Sequence, residues 1–372
     1  MGGASVVVAV GVMAGALQKQ SSSRGILPSG PPSPPYTALP FQCMGTEWWC
    51  TDQVTNADVD VSSDIPFAAV YDQLGRRNIT LRMDLYRPRR EAAQAAPLPV
   101  AVVIHGGGWH PSSFSGKSDN VSVDIARAFS RRGFLAASIE YRCERPYGGS
   151  TLWTDSVADA RAAVQWLQGR AGSLNADGSR VVAIGTSAGA VTVAGMVVMP
   201  LDPAHRATTP PAPGAVHAAI AVSGCLFNDS TSVPAGRHVW NHLFTAAGPH
   251  SPPYLDIHGT ADPIVPYANA SQRPNVDGKR NQSCSAVDTQ GFLTAAGVES
   301  YLEPIPGAGH VPAADLYVAP YNTTLWGFVG HALGLQDHPM KARRLAPAVG
   351  AAKMDARLAP IATGDLVFVR PP

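Results

Sequence analysis

Val181-Val182-Ala183-Ile184-Gly185-Thr186-Ser187-Ala188-Gly189-Ala190 runs from an apolar, strand-type segment into a serine flanked by small residues, then into a helix-compatible stretch reaching Met199. A serine on a sharp strand-to-helix turn is a nucleophile elbow. The glycines allow the tight turn and keep other side chains away from the hydroxyl. Upstream, Val100-Ala101-Val102-Val103-Ile104 leads into His105-Gly106-Gly107-Gly108-Trp109. A glycine run after a strand exposes backbone N–H groups with no side chain in the way, which is what a developing oxyanion needs. The two segments, in this order and each after a strand, point to acyl-transfer chemistry.

Outward from these segments, strand and helix patterns alternate. Strands are predicted at Val70–Asp72 and Leu81–Tyr86, joined by a turn near Leu74–Arg76, and again at 100–104, 135–141, 181–184, 218–223, 254–258 and 301–305. Helices are predicted at about 119–132, 155–169, 190–199 and 321–333. Short, strongly apolar strands alternating with helices predict an α/β fold with a mostly parallel central sheet and helices on both faces. Two Pro-rich stretches, Pro200–Pro213 and Leu226–Pro253, break the alternation and read as loop-rich cap insertions beyond strand ends, where substrate-contacting loops lie. No internal repeat is present.

A serine hydroxyl needs a base, and that base needs a carboxylate to hold its tautomer. Of the 11 histidines, His310 closes Pro306-Gly307-Ala308-Gly309-His310, a small-residue loop just beyond a strand. Asp262 lies in His258-Gly259-Thr260-Ala261-Asp262-Pro263-Ile264-Val265-Pro266, also just beyond a strand. Asp256 and Asp315 are the alternative carboxylates, with Asp256 inside the strand and facing a sheet surface. His331 and His338 stand in weaker contexts. His105 reads as a loop-shaping residue, Trp109 as either an acyl-pocket wall or core, Trp48, Trp49, Trp153 and Trp240 as packing, and Asp155 and Asp159 as helix-start or helix-face residues.

With these residues in view, the chain resembles α/β-hydrolases of the esterase/lipase group, related to hormone-sensitive lipase and to bacterial feruloyl-esterase-like carboxylesterases. The resemblance covers about residues 65 to 335. It rests on His105–Trp109, Glu140-Tyr141-Arg142, Asp159–Leu167, Gly185–Gly189, the Asp262 loop and His310. The order Ser187, Asp262, His310 is that of the α/β-hydrolase fold. The resemblance implies a Ser187 nucleophile, a His310 base, an Asp262 orienter, and oxyanion donors at the Gly106, Gly107 and Ala188 N–H groups. It implies a serine carboxylesterase working through an acyl-enzyme, with no cofactor and no metal. Thr186 departs from the Asp or Glu that hormone-sensitive-lipase-like members usually carry before the serine. The His258–Asp262 loop is more similar to the feruloyl-esterase side. An amide- or formamide-directed hydrolase, arylformamidase-like or peptidase-like, is the nearest other reading. A non-catalytic ligand-binding homologue, like the plant gibberellin receptors that lack the histidine, is a third.

Composition bounds the surroundings. The chain has 372 residues, 15% charged, with a net charge of +1, which offers nothing to a nucleic acid. Its 36 Gly and 33 Pro imply many turns and loops. The substrate expected is a small-molecule or polymer-linked ester. Ala4–Leu17 is almost wholly apolar and ends near Ala14-Gly15-Ala16, so 1–17 reads as a signal peptide, although no Lys or Arg precedes the apolar run. That run is too short for a comfortable membrane span, so no stable span is expected in the mature chain. Residues 18–40 read as a Pro/Ser-rich linker, 41–335 as the catalytic domain and 336–372 as a mostly disordered tail. Six of the ten asparagines head Asn-x-Ser/Thr acceptors, at Asn78, Asn120, Asn228, Asn269, Asn281 and Asn322. With the leader they predict a secreted or secretory-lumen protein, a cytoplasmic or organellar location being the alternative. The five cysteines are Cys43, Cys50, Cys143, Cys225 and Cys284. They allow two disulfides and one free thiol in an oxidising compartment, with Cys43–Cys50 the first candidate pair and Cys225–Cys284 the second. No CxxC or His/Cys cluster suggests a metal.

Overall fold

The computed structural model of the chain describes residues 43, 47–72, 77–89, 96–109, 116–143, 153–199, 214–226, 247–268, 284–337 and 367–369. All lie in one of the chain's two units, Leu39–Pro372; the other, Met1–Ala38, lies outside the described residues. The expected leader and linker, all of the first insertion and most of the second, and Asn228, Asn269 and Asn281 lie outside them as well.

In chain order the strands are β1 (Val59–Asp72), β2 (Arg77–Pro88), β3 (Leu98–Ile104), β4 (Leu135–Ile139), β5 (Ala176–Thr186), β6 (Ala218–Val222), β7 (Tyr254–Gly259), β8 (Ser300–Ile305) and β9 (Val367–Val369). The helices are α1 (Asn120–Arg131), α2 (Trp153–Gly169), α3 (Ala171–Leu174), α4 (Ala188–Val198), α5 (Ala286–Ala295) and α6 (Tyr321–Ala332). The strands form one sheet in the order β8-β7-β6-β5-β3-β4-β2-β1-β9. Strands β3 to β8 run parallel to one another, while β2 is antiparallel to both β1 and β4. This is the architecture of the α/β-hydrolase fold.

Every residue of β3, β4, β6 and β7 is buried. A parallel strand covered on both faces has no solvent side, so its sequence is continuously apolar rather than alternating. The cover comes from two helical groups. Helices α1 and α6 meet through Phe129 and Trp326, with ring centres 4.8 Å apart. Helices α2 and α4 meet at Ser156 and Thr192, whose hydroxyls are 2.8 Å apart. All eleven residues of α4 are buried, the mark of a helix apolar all round. Helix α1 instead buries one stripe, including Ile125, Ala126 and Phe129, and starts at Asp119, whose carboxylate accepts the Ser122 N–H at 2.8 Å.

The order β5-β3-β4 decides where a site can form. From β3 the chain crosses to β4 on one side, then returns to β5 on the other, so β3 and β5 flank a topological switch point. Ligands of open α/β sheets bind beyond the carboxyl ends of the strands at such a point. Ile104 lies opposite Gly185 in the β3/β5 register. His105-Gly106 and Thr186-Ser187 therefore leave the sheet side by side.

The structure departs from expectation most at two elements. Strand β1 starts at Val59, eleven residues before the expected strand, because Asp60, Ser62, Ser63, Asp64 and Pro66 mask its pattern. It is irregular there, with register shifts between Ser62 and Ile65 and between Pro66 and Ala68. Helix α5 was not expected: Gly291 and a sparse buried set, Ala286, Thr289 and Leu293, give little periodicity. Its one readable signal is the cap, with the Ser285 hydroxyl accepting the Asp288 N–H. Within 336–372, most of which lies outside the described residues, Val367–Val369 pairs in parallel with β1. Three residues are too few for periodicity to show, and the pairing covers backbone groups that an edge strand leaves open. Among the described residues no helix is long and apolar enough to cross a membrane.

Candidate active site

Ser187 stands between β5 and α4 with φ 51° and ψ −118°, a conformation rare for a residue with a side chain. Its N–H donates to Val222 O of β6 at 3.0 Å, which pins the turn. The two flanking glycines are required by contact. A Cβ on Gly185 would fall on the Gly189 carbonyl, and one on Gly189 would fall on the Ile104 and His105 carbonyls at the end of β3. Gly106 is less constrained but still tight, since its Cβ would meet Thr186 O at 3.1 Å and the Ser187 Cβ at 3.2 Å. Ala188 opens α4, so its N–H has no acceptor within the helix and lies at the positive end of the helix dipole.

Two loops bring the remaining residues to the serine. Beyond β7, Asp262 Oδ1 accepts the N–H groups of Ile264 at 2.8 Å and Val265 at 2.9 Å. Beyond β8, the chain to His310 is stitched to that loop: Ala261 N–H donates to Ala308 O at 3.0 Å and Gly307 N–H to Thr260 Oγ1 at 2.8 Å. A Cβ on Gly259 would collide with the Ala308 and Gly309 carbonyls, so glycine there lets the loops close. The Val311 N–H donates to Ser223 Oγ at 3.0 Å, anchoring the other side of His310 to the end of β6.

The result is a continuous row. Asp262 Oδ2 is 2.8 Å from His310 Nδ1, and His310 Nε2 is 2.8 Å from Ser187 Oγ. Facing a carboxylate, Nδ1 carries the proton, which leaves Nε2 to accept from the serine hydroxyl. The Asp262 side chain is fully buried. Burial alone would raise its carboxyl, but hydrogen bonds from His258 and His310 and from the loop N–H groups outweigh it and hold Asp262 well below the usual carboxylate range. Asp315 sits in a separate short 3-10 turn, Asp315–Tyr317, and Asp256 in β7 bonds to His258 rather than to His310.

The glycine loop is aimed from behind. Tyr141 OH donates to His105 O at 2.9 Å and lies 3.2 Å from Gly106 O, which His105 Nδ1 also meets at 2.7 Å. The two rings stack with centres 4.2 Å apart. Because peptides are trans, a carbonyl held toward Tyr141 turns the next N–H the opposite way. The held carbonyls of His105 and Gly106 thus direct the N–H groups of Gly106 and Gly107 away from Tyr141. Burial pushes the His105 ring down, so it is a neutral donor, in keeping with loop shaping. Tyr141 is itself placed by its neighbour. Arg142 grips the fully buried Asp159 of α2 through Nε at 2.9 Å, Nη2 at 2.8 Å and its backbone N–H at 2.8 Å. Asp159 thus faces inward and orders this segment. The sequence places Tyr141 within the Glu140-Tyr141-Arg142 motif but assigns it no role of its own.

Trp109 is partly buried against the core, and Trp48 and Trp49 are buried, packed edge to face at 5.7 Å. His331 pairs with Glu299 on the surface, 2.7 Å apart. The structure joins Cys43 to Cys50 and Cys225 to Cys284, with Cα atoms 5.6 Å apart in each pair. Cys143 is free, and burial pushes its thiol up to about 12, which keeps it protonated. Trp240 and His338 lie outside the described residues.

Sequence comparison agrees with this geometry. The BD-FAE family model matches residues 83–202, from β2 past α4. Esterase LipQ of Mycobacterium tuberculosis is 29% identical over 233 residues, covering 56% of this chain and 51% of that protein. Esterase LipC of the same organism is 26% identical over 244 residues, covering 60% and 55%. The chain thus spans about half the length of these curated relatives. The apo form of Thermogutta terrifontis esterase 2 superposes with a TM-score of 0.49 at 22% identity, over 79% of this chain and 98% of that one. With its sheet order and its serine turn at the switch point, the chain has the α/β-hydrolase fold, and its sequence is similar to the BD-FAE family and to the two esterases.

Proposed function

We propose that the chain is a serine carboxylesterase. The observation that carries this reading is the unbroken hydrogen-bonded row from Asp262 through His310 to Ser187, set against the glycine loop. Ser187 Oγ attacks the ester carbonyl while His310 Nε2 takes its proton, and Asp262 holds the imidazolium that results. The N–H groups of Gly106, Gly107 and Ala188 receive the oxyanion; losing one such donor typically costs about 100- to 1000-fold in rate. His310 then protonates the departing alcohol, and water, activated by the same imidazole, cleaves the acyl-enzyme.

The test is hydrolysis of p-nitrophenyl acetate, butyrate and octanoate by wild type and Ser187→Ala. The variant is expected to stay folded and to lose turnover by about 10,000-fold or more. Undiminished activity in the variant refutes the reading. A folded wild type that is inert on all three esters but cleaves a formamide moves the assignment to amide hydrolysis. Inertness combined with no labelling by a covalent serine probe moves it to ligand binding. The chain-length profile bounds the acyl pocket.

We further propose that the chain passes through an oxidising, glycosylating compartment. Support comes from the two disulfides and from Asn78 and Asn120, both exposed at acceptor sequences.

A further inference from the structure

Behind Asp262 lies a second buried acid–base pair that the proposed chemistry does not use. His258, near the end of β7, is fully buried. Its Nδ1 faces Asp256 Oδ2 at 3.3 Å, and its Nε2 faces Val265 O at 2.9 Å and Asp262 Oδ2 at 3.4 Å. Val265 O only accepts, and Asp256 and Asp262 only accept when ionised. With both carboxylates ionised, a neutral imidazole would aim one lone pair at an oxygen lone pair, whereas an imidazolium donates on both sides. We propose that His258 is a permanently protonated positioning residue, a buried imidazolium shared by Asp256 and Asp262 that holds Asp262 in place and partly neutralises the charge facing His310. This rests on the triad reading of Ser187, His310 and Asp262.

The surroundings favour that state. Burial alone would lower the His258 ring, but the carboxylates of Asp256 and Asp262 and the Val265 carbonyl raise it to about 10. Burial pushes Asp256 up, countered by His258 and by the Gly224 N–H at the end of β6. The other titratable groups nearby are Tyr267, whose ring centre is 6.2 Å from that of His258, Tyr254 against Asp256, and Glu303 of β8, which faces Tyr267. None of these brings a second cation. Asp262 Oδ2 therefore serves two rings, His310 at 2.8 Å and His258 at 3.4 Å. The cation on its far side sets how much of the carboxylate's charge His310 experiences.

Two substitutions then act in opposite directions. His258→Gln removes a cation beside Asp262. Asp256→Asn keeps the cation and removes one carboxylate. In kcat/KM–pH profiles on p-nitrophenyl butyrate, the acid limb is expected to move up in His258→Gln and down in Asp256→Asn, each by about half a pH unit or more. A purely structural role would lower activity without shifting the limb. Limbs that stay put, or move the same way in both variants, overturn the proposal. Ring-nitrogen NMR of the full-length wild type at pH 8, assigned by comparison with either variant, reads the state of His258 whether or not the protein turns over. Both nitrogens protonated is the expected result, and a neutral ring overturns it. A folded wild type that hydrolyses no ester sinks the esterase reading instead, while the NMR still decides the protonation of His258.

Discussion

Tyr141 acts through one oxygen, which reaches the carbonyls of both His105 and Gly106. Tyr141→Phe keeps the ring stacked on His105 and removes only those bonds. With the proposed oxyanion role, kcat is expected to fall about tenfold, with KM nearly unchanged, since the donors are needed most when charge develops. Steady-state kinetics on p-nitrophenyl butyrate checks this, and an unchanged kcat means other contacts aim the loop. Ser187, Asp262 and His310 were legible in the sequence because each sits in a small-residue turn beyond a strand, in an order that acyl-transfer chemistry uses. Tyr141, Asp256 and His258 were not, because nothing in their local sequence says which atoms they face.

At the scale of elements, the decisive unit is β3, β5 and α4. Strand β5 and helix α4 meet at a turn so close to the end of β3 that Gly189 has backbone where a side chain would be. Gly189→Ala is therefore expected to destabilise the protein by about 3 kcal/mol or more, or to abolish folding, because the obstacle is main chain that cannot rotate aside. Urea unfolding of the soluble fraction measures it, and a loss under 1 kcal/mol would mean that α4 can pull back from β3. The buried parallel strands and α4 were readable because burial on all sides leaves a dense apolar run. The ends were less so. Helix α4 was expected from Ala190 and begins at Ala188, since the small residues of the turn carry no periodicity. Strand β1 and helix α5 lie where one face is wet and polar residues or a central glycine dilute the pattern.

For the whole molecule, passage through a glycosylating compartment is the proposal that engages the entire chain. Peptide mapping of secreted material is expected to show both disulfides closed and N-glycans on Asn78 and Asn120. Asn322 is expected to be bare, since it is half-buried with its Oδ1 enclosed. A chain recovered only from the cytosol, reduced and without glycans, refutes the proposal. What the sequence by itself determined was the alternation of strands and helices, the serine turn, the glycine loop and the order of the three polar residues. Those properties reside in local pattern, in which each residue's preference is set by its neighbours along the chain. Only the tertiary structure decided that His310 reaches Ser187 across 123 positions, that Tyr141 holds the glycine loop, and that Asp256 and Asp262 enclose His258. Those relations depend on sheet order and on loops meeting beyond adjacent strand ends, and a hydrogen bond between distant segments leaves no periodic trace in either one.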